Sequence, residues 1–287
     1  MQFPPLLDWR SGMVKHAIVT GATGLLGSHV ATAFRDWGYN VTALDVTDAP
    51  GVDKVDLSDL EAAMEAIGPA DCMAHIASLP RPVGYEAEDV FRTNMTLMFN
   101  VLAAMEKSGI ARMVFASSFS ILGLPFAPKP VDISYFPVDE HHPHAPQDVY
   151  AVTKWLGEEM VDAWVRRTGH AAASIRMPWI QTAESFPEQV KPRRERQEAG
   201  LDLWAYIDAR DAGRAFVQAA EADMSGHERF FISAADTYSE RPTTDLIDVA
   251  YPDVERRAAL SGHTALLSNA RAAELIGFAP EHGWRDY

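Results

Sequence analysis

Short apolar runs alternate with amphipathic helical segments over most of the chain. The apolar runs predict five β-strands, which cover His16–Thr20, Tyr39–Leu44, Asp71–Ala77, Arg112–Ala116 and Ala173–Arg176. Period-3.6 patterns between them predict helices, which cover the segment from Gly27 to Trp37, Ser58–Ile67, Glu86–Lys107 and the segment around Tyr150–Lys154. Ser58 is a suitable N-cap for the second of these helices. The alternation of strands and helices predicts an α/β fold with a doubly wound parallel sheet.

The chain divides by pattern into three parts. Residues 1–12 contain adjacent prolines and no period, which predicts an extended N-terminal arm. Residues 13–180 hold the predicted sheet. Residues 181–287 form a smaller, partly interleaved lobe, for which we predict a helix over Asp208–Ala222, a strand over Arg229–Ser233 and a helix over Ser268–Ile276 that ends at Gly277.

Composition excludes several classes of function. The chain has 287 residues, 47% of them hydrophobic, and 25 Lys and Arg against 40 Asp and Glu. The net charge of -15 argues against attraction to nucleic acid or an anionic membrane. Cys72 is the only cysteine, so an intramolecular disulfide is impossible and a reducing compartment is expected. With no membrane-spanning run or signal peptide, we predict a cytoplasmic protein.

The first strand is followed directly by a glycine-rich turn, Gly21-Ala-Thr-Gly-Leu-Leu-Gly27. Gly21 allows a sharp turn, Gly24 lets the backbone approach a pyrophosphate, and Gly27 lets the following helix pack closely on the strand. The N-terminus of that helix then faces the phosphates. This placement between strand and helix predicts a dinucleotide site that includes Thr23, Leu25 and Leu26.

The second strand leads into Asp45, which lies 18 positions after Gly27. This spacing fits the acidic residue that accepts hydrogen bonds from the ribose hydroxyls of NAD, and no arginine follows to favour the 2′-phosphate of NADP. NAD is therefore the predicted cofactor, with a simple turn aspartate as the alternative. Asp56 and Leu57 are expected to flank the adenine.

Tyr150 and Lys154 lie one helical turn apart and face the same side. A tyrosine needs about 4 kcal/mol of differential stabilisation to bring its pKa from about 10 to near 7, and a lysine charge contributes help of that kind. The alternative is a coincidental pairing on a helix surface. Ala77, Ser118 and Pro178 follow or end other strands, at the sheet edge where ligands bind in such folds.

These features together resemble the extended short-chain dehydrogenase/reductases, also called the NAD-dependent epimerase/dehydratase family. The resemblance covers nearly the whole chain and rests on Thr20–Gly27, Asp56-Leu57, Asn94, Phe115–Gly123, Tyr150–Lys154 with Gly157-Glu158, Arg176, and Tyr206–Asp211. It implies a Rossmann fold, catalysis by Ser118, Tyr150 and Lys154, and cofactor contacts from Ala77, Tyr150, Lys154 and Pro178. It also implies substrate contacts from Ser78, Ser118, Phe119, Tyr150 and Trp179.

One departure from the family concerns the segment after the fifth strand. Many nucleotide-sugar epimerases have Arg-x-x-Asn-x-Tyr-Gly there, whereas this chain has Arg176-Met-Pro-Trp-Ile-Gln181. Only 133 residues (287 minus 154) follow Lys154, and the chain is loosely similar to the uronate dehydrogenase branch. We therefore predict NAD-dependent oxidation of a sugar or sugar-acid hydroxyl. The alternatives are a UDP-sugar 4-epimerase with tightly bound NAD and a non-catalytic dinucleotide sensor.

Three further features have competing interpretations. Arg193, Arg194 and Arg196 form either a site for a substrate carboxylate or a solvated charge run. His141, His142 and His144 are expected to form a polar loop, and no metal site is predicted. A homodimer is predicted because two helices hold surplus apolar residues, namely Val90, Met95, Met98 and Met105 on one and Val152, Trp155, Met160 and Trp164 on the other.

Overall fold

The structure is a computed structural model that describes residues 14–194 and 200–287. The strands are β1 (His16–Thr20), β2 (Asn40–Asp45), β3 (Asp53–Lys54), β4 (Cys72–His75), β5 (Arg112–Ser118), β6 (Tyr135–Phe136), β7 (Ala171–Met177), β8 (Trp179–Gln181), β9 (Tyr206–Asp208), β10 (His227–Phe231) and β11 (Glu255–Arg256). The helices are α1 (Leu25–Asp36), α2 (Leu60–Ala66), α3 (Ala87–Ser108), α4 (Val149–Thr168), α5 (Ser185–Gln189), α6 (Ala209–Glu221), α7 (Thr243–Ala250) and α8 (Ala270–Ile276). The predicted N-terminal arm, residues 1–12, and Arg196 lie outside the described residues.

A seven-stranded parallel sheet has the order β10-β7-β5-β4-β1-β2-β3. Successive side chains of a strand point to opposite faces, so Ala17 and Val19 enter one apolar cluster and Ile18 enters another. Helices α1 and α6 pack against each other on the first face, and α2, α3 and α4 cover the second. Burial on both faces explains the nearly continuous apolar strands. The predicted doubly wound parallel sheet is confirmed.

The remaining segments form a smaller lobe beside the carboxyl edge of the sheet. Two short parallel pairs, β6 with β11 and β8 with β9, lie in this lobe. Its apolar cluster includes Phe119, Phe136, Trp204, Tyr206 and Leu246. After the first part of the lobe the chain returns to the main sheet through α6 and β10, where β10 pairs with β7. The lobe is thus interleaved with the sheet.

Several element boundaries differ from the predicted ones. Asp59 caps α2 by accepting a hydrogen bond from Ala62 N (3.0 Å), while Ser58 donates to Asp56 through its hydroxyl (2.7 Å). The predicted Ser58 cap is therefore wrong, because the neighbouring carboxylate takes that place. Strand β5 continues two residues beyond the predicted end, since it pairs with β7 as far as Ser118.

The C-terminal boundaries also shift. Strand β10 begins and ends two residues earlier than predicted because it pairs with β7 from His227 onward. Helix α8 starts at Ala270 and ends at Gly277, whose φ of 68° gives the left-handed helix stop that the sequence predicts.

The apolar residues of α3 and α4 divide between the core and the surface. Val90, Met98, Met105 and Trp164 are buried in the core of the chain itself, so the predicted surplus was too large. The exposed large residues on these two helices are Phe91, Phe99 and Trp155, with Met95 and Met160 half-buried beside them. Across the ranges 14–194 and 200–287, no helix has the length and apolar character needed to span a membrane.

Candidate active site

The glycine turn after β1 can be built only where side chains are absent. Gly21 has a φ of +70°, and a Cβ atom there would lie 2.8 Å from Ala77 N, in the turn after β4. A Cβ atom on Gly27 would lie 2.0 Å from Gly21 O. Backbone therefore packs on backbone at both positions, which holds the start of α1 directly over the ends of β1 and β4.

The N-terminus of α1 is open to an anionic ligand. Its N-cap is Gly24, so no side chain caps the helix, and its first turn contains no acidic residue. The first N–H groups of a helix lack intrahelical partners and carry a partial positive charge. Leu25 is exposed, whereas the Leu26 side chain is buried and only its backbone is available for contact. This arrangement fits a pyrophosphate.

Asp45 stands at the end of β2, beside the glycine turn. Its two carboxylate oxygens accept hydrogen bonds from Thr23 N (3.0 Å) and Thr47 N (2.9 Å). Burial raises the pKa of Asp45, but these hydrogen bonds outweigh it and leave the pKa below its ordinary value. An ionised carboxylate retains further acceptor positions, so Asp45 can still accept ribose hydroxyls.

Asp56 and Leu57 lie close to Asp45 along the same edge. Val55 N donates to Asp45 O (2.7 Å), which brings the following residues beside β2. The exposed Asp56 accepts hydrogen bonds from Ser58, and these lower its pKa, while Leu57 is buried. The predicted adenine-side residues therefore flank the end of β2.

The three predicted catalytic side chains come from β5 and α4. Ser118 ends β5, and its hydroxyl accepts a hydrogen bond from Ser120 N (3.1 Å). Lys154 Nζ donates to Ala116 O (2.9 Å) and to Ser78 Oγ (3.2 Å) and lies 5.5 Å from the centre of the Tyr150 ring. One helical turn separates Tyr150 from Lys154, so both face the end of β5.

Burial dominates the acid–base properties of this group. It raises the pKa of Tyr150 to about 12, against a lowering effect of the hydrogen bond with Ser118 and a small further increase from Asp148. Burial also lowers the pKa of Lys154 to about 7. The Lys154 charge does not depress the pKa of Tyr150 here, contrary to the expectation from their spacing.

The end of β7 lies directly beside the end of β5. Met177 is the register partner of Ser118, and Pro178 and Trp179 follow it directly. Trp179 is half-buried, while Phe119 packs in the apolar cluster of the lobe, so the Phe119 side chain is enclosed by protein. The guanidinium of Arg193 lies 4.4 Å from the centre of the Trp179 ring.

Arg193 and Arg194 are the two arginines of the basic run that lie within the described residues. Each contacts an aromatic ring, unlike a freely solvated side chain. Arg193 stacks on Trp179, and its nearest carboxylate oxygen, in Asp202, is 3.7 Å away. Arg194 lies 3.7 Å from the centre of the Trp284 ring and is mostly buried. Sequence spacing could not reveal these contacts, because Trp179 and Trp284 are remote from the run in the chain.

An ion-pair network anchors α4 to the sheet. Glu158 lies one turn beyond Lys154 and accepts hydrogen bonds from Ser117 Oγ (2.6 Å), Arg176 Nη2 (2.7 Å) and Arg229 Nε (3.1 Å). Asn94 on α3 joins Leu79 to Thr153, with 2.8 Å between Leu79 N and Asn94 Oδ1. Asn94 and Glu158 are marks of the family resemblance, but their contacts become visible only in three dimensions.

The histidine-rich loop is held by a hydrogen bond within the protein. His142 is buried, and its Nε2 accepts a hydrogen bond from Ser134 N (2.9 Å). Within the described part of the chain, no group of three His, Cys, Asp or Glu side chains is arranged to hold a metal ion.

Known proteins share both the sequence pattern and the fold. Residues 17–232 match the model of the NAD dependent epimerase/dehydratase family. The uronate dehydrogenase of Pseudomonas syringae pv. tomato is 26% identical over 219 residues, which cover 73% of this chain and 71% of that protein. The UDP-glucose 4-epimerase of Corynebacterium glutamicum is 23% identical over 309 aligned positions, which cover 92% of this chain and 91% of that protein.

A solved structure agrees in fold. A short-chain dehydrogenase/reductase superfamily protein from Agrobacterium tumefaciens, with bound NAD, superimposes with a TM-score of 0.72 at 22% identity and covers 94% of each chain. The protein belongs to the NAD-dependent epimerase/dehydratase family. It is an NAD-dependent enzyme of the short-chain dehydrogenase/reductase type.

Proposed function

We propose that this enzyme oxidises a hydroxyl group of a sugar or sugar acid with NAD as the acceptor. The observation that carries the proposal is the convergence of Ser118, Tyr150 and Lys154 at the carboxyl edge of the sheet. Two protein oxygens, Ala116 O and Ser78 Oγ, hold the lysine beside the tyrosine. Such a group can move a proton to and from a substrate oxygen.

The residues on this edge fit NAD. The uncapped N-terminus of α1 fits the pyrophosphate, and Asp45 fits the adenosine ribose. Bound NAD supplies the hydride acceptor and its own positive charge. A 2′-phosphate would meet the ionised Asp45, which disfavours NADP.

Each catalytic side chain has a separate role in the proposal. Tyr150 takes the proton of the substrate hydroxyl at its phenolic oxygen, and Ser118 hydrogen-bonds the same substrate oxygen. The buried Lys154 favours the phenolate when it is charged. Since burial raises the pKa of Tyr150 and lowers that of Lys154, positive charge near Tyr150 is required for activity near neutral pH.

The contact between Trp179 and Arg193 supports a sugar acid as the substrate. Trp179 follows the register partner of Ser118 by two residues, and the Arg193 guanidinium lies 4.4 Å from the centre of the Trp179 ring. About half of the Arg193 side chain is exposed, and its pairing with Asp202 at 3.7 Å is longer than a hydrogen bond. A guanidinium on an aromatic face can bind a carboxylate through two parallel hydrogen bonds.

The second candidate is a UDP-sugar 4-epimerase that regenerates its NAD. The similarity to the Corynebacterium glutamicum epimerase over 92% of this chain favours it. A non-catalytic dinucleotide sensor is the third possibility, because a fold alone does not define a reaction. The complete set of Ser118, Tyr150 and Lys154 argues against a sensor.

A substrate panel separates these functions. Sugars, sugar acids and UDP-sugars are incubated with the enzyme and NAD, and NADH absorbance is followed together with chromatography of the sugars. Net NADH with a free sugar or sugar acid supports the dehydrogenase. Interconversion of UDP-sugars without NADH supports the epimerase, and NAD binding with neither reaction supports the sensor.

The role of Tyr150 is tested by Tyr150→Phe, which removes only the ionisable oxygen. We expect turnover to fall about 10²- to 10⁴-fold while NAD binding is kept. Tyr85→Phe, at an exposed tyrosine, is the matched control. If Tyr150→Phe retains more than about a tenth of the rate, Tyr150 is not the acid–base group.

A further inference from the structure

A strap of residues 281–287 packs on the smaller lobe and is fixed at both ends. Near its start, His282 N donates a hydrogen bond to Asp211 Oδ2 (2.9 Å). At its other end, the hydroxyl of Tyr287 donates to Asp208 Oδ2 (2.6 Å). Both acceptors are buried at the start of α6, where Asp208 is the N-cap and Asp211 lies in the first turn. The strap therefore has a defined path.

Trp284, in the middle of the strap, is held by hydrogen bonds from two of its nitrogens. Its backbone N donates to Tyr206 Oη (2.9 Å), and its indole Nε1 donates to Thr237 O (3.0 Å). Tyr206 is buried and donates its own proton to Asp236 Oδ1 (2.7 Å). The guanidinium carbon of Arg285 lies 4.3 Å from the centre of the indole ring. The indole thus has a fixed orientation.

Arg194 of the basic run packs its guanidinium on this indole. Its Cζ atom lies 3.7 Å from the centre of the Trp284 ring and 4.8 Å from that of Phe186, and the two rings stack 5.6 Å apart. The Arg194 side chain is 16% exposed, and its Nε is buried without a hydrogen-bond partner in the described residues. Its ion pair with the exposed Glu240 is 3.6 Å long, which exceeds a hydrogen bond. Aromatic faces therefore hold this cation.

Arg193 precedes Arg194 directly and contacts a different tryptophan. Its guanidinium lies 4.4 Å from the centre of the Trp179 ring, on β8. Its backbone N donates to Val190 O (2.8 Å), which closes the short helical turn that carries both arginines. This turn is therefore attached at two points, to β8 through Arg193 and to the strap through Arg194.

We propose that Trp284 is a positioning residue for Arg193, and that it acts through the guanidinium of Arg194. The strap supplies the aromatic face on which Arg194 packs, and a fixed Arg194 limits the places that the neighbouring Arg193 side chain can reach. The affinity for a sugar acid then depends on the strap. This last consequence rests on the proposed function, whereas the packing of Arg194 on the strap does not.

Three variants test the contact from both of its partners. Trp284→Ala removes the indole, and Trp284→Phe restores an aromatic face without the Nε1–H group. Arg194→Gln removes the cation and serves as the test if Trp284→Ala does not fold. Trp37→Ala, at an exposed tryptophan that ends α1, is the matched control. Thermal unfolding of all variants reports any general loss of stability.

The position of the turn is read without a substrate by limited digestion with trypsin, which cuts after arginine and lysine. The first cut after Arg193 or Arg194 is identified from the masses of the fragments. Cutting follows the population of the open form when opening is fast. We expect Trp284→Ala to raise this rate about tenfold, the equivalent of a desolvated cation–π contact. Arg194→Gln should raise the rate after Arg193, and Trp284→Phe and Trp37→Ala should stay close to wild type.

The consequence for catalysis is read from steady-state kinetics with a sugar acid that the substrate panel identifies. Trp284→Ala should raise KM about tenfold and leave kcat and the affinity for NAD unchanged, because Arg193 contributes binding and no proton transfer. Trp284→Phe should restore the wild-type KM. A general structural defect would also lower kcat or weaken NAD binding.

Three results would overturn the inference. The first is an unchanged cutting rate in both Trp284→Ala and Arg194→Gln. The second is an unchanged KM for the sugar acid in a variant that is cut faster. The third is a rise in KM that comes with an equal loss of NAD affinity or that Trp284→Phe does not reverse. If the cutting rates change as expected while no sugar acid is converted, the proposed function fails and the positioning by the strap stands.

Discussion

Replacement of Glu158 by glutamine tests how α4 is held on the sheet. Glu158 and Arg176 are each 1% exposed in their side chains. The Glu158 carboxylate accepts two hydrogen bonds from Arg176, one from Ser117 and one from Arg229. In Glu158→Gln the charge is lost and an amide N–H faces the Arg176 guanidinium. Arg176 would then be a buried cation without its counterion.

The expected loss of stability is large for a single-atom change. Removal of one partner of a buried ion pair typically costs about 3–5 kcal/mol. Urea unfolding followed by tryptophan fluorescence measures it as a lower midpoint at constant slope. The matched control is Asp89→Asn, which breaks the exposed pair with Arg92 and should cost at most about 1 kcal/mol.

The pH dependence of the free energy of unfolding tests the same interaction. Burial raises the pKa of Glu158, but hydrogen bonds and charge from Arg176 outweigh it and keep the pKa below 4.5, its ordinary value. Its contribution to stability is therefore complete above pH 4.5 and is lost as the pH falls below that value. The stability gap between wild type and Glu158→Gln should narrow in that acid range.

A loss below about 1 kcal/mol in Glu158→Gln would refute this reasoning, because the carboxylate would then contribute no more than a surface group. The double variant Glu158→Met with Arg176→Met is a further check. Removal of both charges together leaves no unpaired ion, so this variant should be more stable than Glu158→Gln. An equal loss of stability in Glu158→Gln and in the double variant would mean that altered packing, and not the unpaired charge, causes the destabilisation.

Two predictions concern the cofactor and the assembly. Asp45→Ala should weaken NAD binding and so reduce the ratio of the affinity for NAD to the affinity for NADP, as measured by titration with both cofactors. Equal affinity of the wild-type enzyme for NAD and NADP would contradict the role of Asp45. The exposed Phe99 and Trp155 should pair with a second copy of the chain. Light scattering should give twice 31.6 kDa for the wild type and 31.6 kDa for Phe99→Asp, and a monomeric wild type would refute the pairing.

The sheet and the cofactor edge were predictable from local sequence. Strand β1 has the predicted bounds His16–Thr20, and the glycine turn follows it as expected, because backbone sterics at Gly21 and Gly27 leave little freedom. Asp45 and Ser118 end strands, so a parallel sheet brings them to one edge whatever the loops do.

Contacts between remote segments were not predictable. Arg229 bonds Glu158 from 71 residues away, and its partner could not be read from spacing. The α2 cap was misassigned because Ser58 and Asp59 are both good caps and only their geometry distinguishes them. His75 is likewise buried with its Nδ1 2.9 Å from Thr20 Oγ1, a partner 55 residues away in the chain.

The return of the chain through α6 and β10 limits how the enzyme can be divided or recombined. A fragment that ended at residue 180 would lack β10, so the hydrogen-bonding edge of β7 would be open to other chains. It would also lack Arg229 as a partner of Glu158 and the α6 surface that covers α1. An exchange of substrate specificity with a relative therefore requires several separate grafts, because the lobe is built from the segment after β5, which holds β6, and from segments on both sides of α6 and β10.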